Sequence, residues 1–378
     1  MAARHIAFVL TSFARGGMEM RLTDVVNGLD KTRWNPHIYA FYDRQTLPDK
    51  VERFRLHTPV SSGNRDVTVP IKLAREFRHE KTVIVWTLAQ GLSAGWGRLG
   101  ALMAGVPIRI ISIHDNYPLA PLTRILNPFT DAIVALTEYS ASLFRNQGVP
   151  ENKIHVLYNG IDTEKYAPGP DRRAEFYEIP PERPVILNVG RLSYEKGRDV
   201  MLQAAAPLLQ SENPPLVVFA GDGTERDPLT YLTQEMGMTE HVRFLGIRDD
   251  VPELLNSADV VVMSSRDVPF GESCPNIVLE GMAAGLPVIG TRVGGTAELI
   301  VDEETGFVIP PGNPAALAEK LKLLLPDPDL RRKLGQAGRA RVKAHFTIEH
   351  MVQGREDLFN LLLEKKKQDG AYPRPVEH

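Results

Sequence analysis

Residues 269–300 read PFGESCPNIVLEGMAAGLPVIGTRVGGTAELI. A loop carrying Gly and Pro leads into a helix over 275–284, and after a glycine turn comes a short apolar run at 288–290. A helix that feeds a short, wholly apolar strand is the repeating unit of a parallel sheet covered by helices, because such strands are buried on both faces.

The same unit recurs in both directions. Apolar runs at 185–189, 216–220, 242–245, 260–263 and 306–309 read as strands, with helical spacing at 199–210, 228–236 and 251–256 between them. Upstream the character changes: 168–183, PGPDRRAEFYEIPPER, is dense in proline and charge and suits a linker or domain entry. Before it lies a second set of runs at 6–10, 37–42, 82–87, 109–113, 132–135 and 154–157. In the first helix, 20–29, Leu22, Val25, Val26 and Leu29 share one face. At the far end, 347–367 has apolar positions at Met351, Leu358, Leu361 and Leu362, the pattern of an amphipathic helix. The fold class read from this is α/β, with two Rossmann-like, doubly wound domains facing a central cleft. The first spans 1–168, the second 180–346, and the helix at about 347–367 packs back on the first.

A chain of 378 residues is too long for one ordinary hydrophobic core, in keeping with two domains. Its net charge of −3 is unevenly spread: residues 1–170 carry 20 basic against 15 acidic side chains, the remainder 24 against 32. A basic first half suits an anionic acceptor or lipid surface. The stretch 70–81, PIKLAREFRHEK, would offer such a surface Ile71, Leu73, Ala74 and Phe77, although so small an apolar face reads better as a plain surface helix. The single cysteine, Cys274, excludes an intramolecular disulfide and fits a reducing compartment. No apolar run approaches the roughly 18 residues of a membrane span, and 6–10 is too short for a signal sequence. The expectation is a cytoplasmic protein, with peripheral contact at the inner membrane face left open. The chain contains no Walker A sequence, G-x-S-x-G, H-E-x-x-H, C-x-x-C or recognisable metal-ligand cluster, and no basic stripe interleaved with aromatics for nucleic acid.

Several strand ends carry residues suited to a nucleotide-bearing ligand. Glu272 stands in the loop and Glu280 on the helix of the opening stretch, with Pro275 in its first turn. The N–H groups of Asn276 and Ile277 would face a phosphate, and the carboxylates suit sugar hydroxyls. Gly190 ends a strand, and Arg191 and Lys196 follow in the loop, where two cations can hold a diphosphate. Gly16 and Gly17 follow the first strand and permit close backbone approach. His114 stands after the strand at 109–113, and Gly221 opens the turn after 216–220. On spacing alone each also reads as an ordinary turn or solvated loop, with Glu195 pairing one of the cations.

Taken in order, the segments resemble family 4 of the glycosyltransferases, which has the GT-B fold. They are GGMEMRLTDVVNGL, IISIHDN, KIHVLYNGID, VGRLSYEKGRD, FAGDGTER, VRFLGIRDDVPELLNSADVVVMSS and the E-x7-E of Glu272 and Glu280 with AAGLPVIGTRVGGTAELI. The likeness runs from about residue 6 to about 350 and is densest after Lys153. It implies that Glu272 binds donor-sugar hydroxyls and Glu280 the ribose. Arg191 and Lys196 would hold the donor phosphates, Gly17 would contact phosphate, His114 would touch the sugar, and the backbone near Arg248 would contact the base. It further implies retention at the anomeric carbon, with no cofactor and no metal. The donor would be a nucleotide-diphosphate sugar, UDP-sugars being the commonest family choice and GDP-sugars the next. A glycan, a lipid-linked or a small-molecule acceptor fits equally, in polysaccharide biosynthesis or elsewhere. Two departures stand out: VWTLAQG at 85–91 replaces a histidine-rich segment of many relatives, and Ser273-Cys274-Pro275-Asn276 replaces a commoner Gly-Phe-Gly. The rival readings are a nucleotide-sugar epimerase or phosphorylase-like transferase on the same fold, and a non-catalytic nucleotide-sugar-binding scaffold subunit.

Overall fold

A computed structural model describes residues 3–12, 17–42, 55–57, 66–88, 91–112, 121–268 and 272–370. The chain divides into two compact units, Met1–Asn159 with Ile348–His378, and Gly160–Thr347. The first runs β1 (Arg4–Ser12), α1 (Gly17–Gly28), β2 (Trp34–Tyr42), β3 (Arg55–His57), α2 (Val69–His79), β4 (Ile84–Thr87), α3 (Gly91–Ala104), β5 (Ile108–Ser112), α4 (Pro121–Leu126), β6 (Ala132–Ala135), α5 (Glu138–Asn146) and β7 (Ile154–Val156). The second begins with α6 (Arg173–Tyr177), β8 (Val185–Val189), α7 (Arg198–Ala205), β9 (Leu216–Ala220), α8 (Arg226–Glu235), β10 (Val242–Gly246) and α9 (Val251–Asn256). It continues with β11 (Val260–Met263), α10 (Asn276–Ala283), β12 (Val288–Thr291), α11 (Thr296–Leu299), β13 (Gly306–Ile309), α12 (Pro314–Leu324) and α13 (Pro328–His345). Finally α14 (Ile348–Gln368) returns to the first unit.

Each unit holds one parallel sheet, ordered β3-β2-β1-β4-β5-β6-β7 in the first and β10-β9-β8-β11-β12-β13 in the second. Both orders reverse once, between β1 and β4 and between β8 and β11, which is the doubly wound arrangement; ligands of such sheets bind outside the carboxyl ends of the strands at that reversal. The second sheet forms because β9 and β11 are buried along their whole length by β-branched and aromatic side chains. Ile186, Val217, Phe219 and Val260 pack there against Met201 and Leu202 of α7 and Leu317 and Leu321 of α12.

In the first unit α14 lays Met351, Val352, Leu358, Phe359, Leu362 and Leu363 into the core beside Trp34 and Trp86. Phe359 meets Trp34 at 5.2 Å and Trp86 at 5.6 Å, both edge-on. Burying such a ring is worth about 1.5–3 kcal/mol. Gly28 allows the approach, since a Cβ there would lie 2.6 Å from Val352 Cγ2. Leu361, expected on the apolar face, is exposed; the stripe that meets the sheet takes Phe359 and Leu363 instead. The apolar side of α2 is likewise engaged within the unit: Val69, Leu73 and Phe77 pack with Tyr39 and Phe41, and Ile71 is exposed. That helix therefore offers little to a lipid surface. Among the described residues no helix is long and apolar enough to cross a membrane.

The stretch at 168–183 is a domain entry and not a free linker. It belongs to the second unit, where Gly169 N donates to Asn256 Oδ1 (3.0 Å), Arg172 N to Ser257 Oγ (3.0 Å) and Arg173 pairs with Asp259 (2.9 Å). The boundary falls after Asn159 rather than near 168. Pro275 does not open the helix but caps it, with an extended ψ of 111°, and α10 starts at Asn276. The helix expected over 199–210 ends at Ala205 and tightens into a 3-10 turn over 206–210, where Pro207 removes an N–H from the ladder.

Candidate active site

The residues that draw attention at the reversal of the second sheet are held by backbone contacts only glycine permits. Gly190 follows β8 and Gly221 follows β9, its neighbour; a Cβ on Gly221 would sit 2.0 Å from Gly190 O. Leu192 N donates to Asp222 O (2.9 Å) and Gly221 N to Gly246 O (2.7 Å), so the turns after three adjacent strands are tied together. Gly197 adopts φ +59°, and a Cβ there would meet Ser264 O at 2.2 Å, which lets the 190–197 loop press against the end of β11. Gly294, at φ +52°, leaves no room for a Cβ beside Glu272 O (1.9 Å), and Gly295 N donates to Ser273 O (2.8 Å). The glycine pair after β12 thus fixes the backbone that carries Glu272.

Within this frame Lys196 and Glu272 form a close, largely buried ion pair, and Ser265 Oγ donates to the same carboxylate oxygen at 2.8 Å. Burial pushes the Glu272 carboxyl up, but attraction to Lys196, the hydrogen bonds from Lys196 and Ser265 and the charge of Arg198 outweigh it and hold the group below its ordinary value. Arg191 is different: its side chain is 79% exposed, and its contact with Glu195 is long, 3.8 Å. An exposed pair at that distance contributes little, so this guanidinium keeps its capacity for an anion.

Arg198 was not legible as a site residue. It is buried beneath the loop, donating from Nη1 to Lys196 O (3.0 Å) and from Nη2 to Arg191 O (3.4 Å), and burial lowers its pKa to about 10. Its guanidinium therefore braces the backbone of both loop cations. Arg266 adds an outer brace through Asp199 (2.6 Å) and Tyr194 O (2.8 Å). Nothing in the spacing separates these two arginines from solvated ones.

Glu280 is buried on α10 and accepts a hydrogen bond from Tyr166 Oη at 3.2 Å, in place of the exposed carboxylate that an ordinary amphipathic helix would carry. Asn276 and Ile277 form the first turn of α10 and are half-buried. The leading N–H groups of a helix have no acceptor within it. Arg248 lies after β10, paired with Asp250 and 5.7 Å from the Phe176 ring. Gly17 begins α1 in the first unit. Gly16 and His114 lie outside the described residues. The first unit also has a small pocket lined by Arg21, Trp86, Ser112, Asn159 and Arg355 among others.

Two family profiles match the chain: Glycosyltransferase Family 4 over residues 15–165 and Glycosyl transferases group 1 over residues 171–341. The chain is similar to the lipopolysaccharide core biosynthesis glycosyltransferase LpsE of Rhizobium meliloti, 32% identical over 285 residues, which covers 75% of this chain and 77% of that protein. It is similar to the glycosyltransferase EpsD of Bacillus subtilis, 32% identical over 252 residues; there the match covers 65% of this chain and 64% of the relative's own length, just under two thirds. Among solved structures, HepE of Anabaena in complex with UDP superposes with a TM-score of 0.81 at 20% identity, covering 94% of this chain and 99% of that one.

Proposed function

Because the chain belongs to glycosyltransferase family 4, and so is a glycosyltransferase of the GT-B type, we propose that it moves a sugar with retention from a nucleotide-diphosphate sugar held by the second unit. A UDP-sugar is our first assignment for the donor and a GDP-sugar the second. The observation that carries this reading is the Lys196–Glu272 pair at the carboxyl ends of β8 and β11. When a diphosphate arrives, Lys196 exchanges the carboxylate for a phosphate, beside Arg191. Glu272 then turns its negative charge to the hydroxyls of the donor sugar. In the transition state the bond from the anomeric carbon to the phosphate oxygen breaks, and Lys196 and Arg191 stabilise the charge that builds on the leaving nucleoside diphosphate. The acceptor hydroxyl attacks on the same face, and its proton passes to a leaving phosphate oxygen. Two side-chain cations supply this electrostatic work, so no metal ion enters the reaction. Glu280 receives the ribose hydroxyls, the N–H groups of Asn276 and Ile277 face phosphate, and the backbone near Arg248 meets the base.

The acceptor is a glycan, a lipid-linked sugar or a small molecule, with polysaccharide biosynthesis as the setting. The single buried Cys274 supports work in the reducing cytoplasm, and the basic excess of residues 1–170 supports peripheral contact with an anionic membrane. The test is thermal unfolding with UDP, GDP, ADP, CDP and dTDP, without metal and then with magnesium. A ligand at about 100 times its Kd should add roughly 2.7 kcal/mol. We expect a shift with one nucleotide, unchanged by magnesium and lost in Arg191→Ala. No shift with any of them refutes the donor site, and an inverted anomer in the product, read by NMR, refutes retention.

A further inference from the structure

A cluster with different chemistry lies at the other end of the first sheet. β1 and β2 are parallel neighbours in the register Ala7↔His37, so His5 and His37 stand on one face, two positions out of step. Both are buried, and their rings meet edge-on with centroids 4.1 Å apart. The chain leaves α2 through Glu80, turns at Lys81 with φ +52°, and returns at Thr82, whose N–H closes the turn on Phe77 O (2.9 Å). This turn brings the Glu80 carboxylate and the Thr82 hydroxyl to the two rings. His5 Nδ1 and Thr82 Oγ1 are hydrogen-bonded at 2.7 Å. One ligand atom from each of His5, His37 and Glu80 lies within 4.8 Å of the other two.

We propose that His5, His37 and Glu80 form a binding site for a divalent transition-metal ion of the zinc type. Two imidazoles and one carboxylate are a donor set such ions take, and hard ions such as magnesium do not favour it. In a tetrahedral site of three protein ligands and a water the ligand atoms stand about 3.3 Å apart, given metal–nitrogen bonds of about 2.05 Å. The present separations, within 4.8 Å, would close to this value as an ion binds, and the Glu80 side chain, 19% exposed, offers the entry path. Thr82 acts on the His5 ring as second-layer partners of metal-bound histidines do: it holds Nδ1 and sets the ring's orientation, and Nε2 is the nitrogen assigned to the ion. Exposed His79, 3.2 Å from Glu80 Oε1, is the competing partner for the carboxylate. The site joins β1, β2 and the end of α2, away from the carboxyl ends of the strands, so the ion pins α2 to the amino-terminal halves of two inner strands and takes no part in sugar transfer.

The experiment uses the full-length chain without an affinity tag, stripped with EDTA and titrated with cobalt(II) while visible absorption is followed. We expect saturation at one equivalent with the intense bands of tetrahedral cobalt, displacement by zinc(II), and a higher melting temperature in zinc(II). Glu80→Gln should weaken binding about tenfold or more, while His79→Gln should leave it intact. Absence of saturable binding overturns the proposal, as does binding unaltered in Glu80→Gln. Loss in His79→Gln also overturns it, by moving the ion to the surface.

Discussion

The two units share the order of six strands, to which the first adds β7 at one edge, and differ in where they bury charge. In the second, Glu272, Lys196 and Arg198 gather at the carboxyl ends of β8 and β11, at the reversal of the sheet. In the first, buried titratable groups are scattered: His5 and His37 toward the amino-terminal ends of β1 and β2, Arg21 on α1, Arg98 on α3, and Arg355 and Glu356 on α14, around a core that includes Trp34, Trp86 and Phe359. The doubly wound fold sets where strand ends lie; the side chains placed on those ends decide which of them does chemistry. In the second unit the buried charges are paired with one another at the reversal; in the first they are spread over several elements.

The comparison can be broken most forcefully at Phe359. Phe359→Ala removes a fully buried ring from the α14 contact and should cost about 3–5 kcal/mol of stability in urea unfolding. A loss below 1 kcal/mol would mean that α14 does not hold the first unit together. Lys196→Met attacks the other side. It leaves Glu272 without its cation and should slow transfer about 10²–10³-fold, with roughly 2–3 kcal/mol lost in stability. Adding Glu272→Gln should restore the stability and not the rate; recovery of both would make the pair a structural one.

Two glycines sharpen the contrast on a smaller scale. Gly294→Ala places a methyl 1.9 Å from Glu272 O at φ +52°, and a loss of at least about 2 kcal/mol is expected. Gly105→Ala in the first unit, at φ +73° with nothing within 4 Å, should lose only about 1 kcal/mol by strain. Equal losses would show that close approach, as distinct from backbone conformation, has no part in fixing Glu272.

The smallest expected effect concerns pH. Glu272 is held below its ordinary value of 4.5, so the folded state binds its proton less readily than the unfolded chain. Its contribution to stability is therefore complete above about pH 4.5 and is lost as the pH falls through the depressed folded value. In Lys196→Met burial dominates, the carboxyl shifts upward, and the acid-side loss should disappear from the unfolding midpoint measured against pH. An unchanged acid limb would remove the pair from the stability of this unit.

Much of this architecture is written locally. The strands at 185–189, 216–220, 260–263 and 306–309 coincide with the observed β8, β9, β11 and β13, because a strand buried on both faces must be an unbroken apolar run. β3, Arg55–His57, escapes such a reading because three residues with two basic side chains have no period. Leu361 is misjudged because helical spacing names a stripe without saying which edge of it meets the sheet. Pro275 is misplaced by one position because the residue that caps a helix and the one that opens it obey similar rules.

The sequence by itself determined the two alternating α/β halves, the glycine turns at their strand ends, and the identity of Glu272, Glu280, Arg191 and Lys196 as candidates. The halves and the turns follow from periodicity and backbone conformation, which neighbouring residues settle among themselves; the four candidates stand out through the ordered succession of segments shared with the family, since spacing alone leaves each an ordinary turn or loop residue. Only the tertiary structure decided that Lys196 neutralises Glu272, that Glu280 is buried against Tyr166, that Arg198 braces the loop from below, and that His5, His37 and Glu80 meet. Burial and Coulomb attraction depend on distance in space, and partners far apart in the chain leave no period or motif to announce that distance.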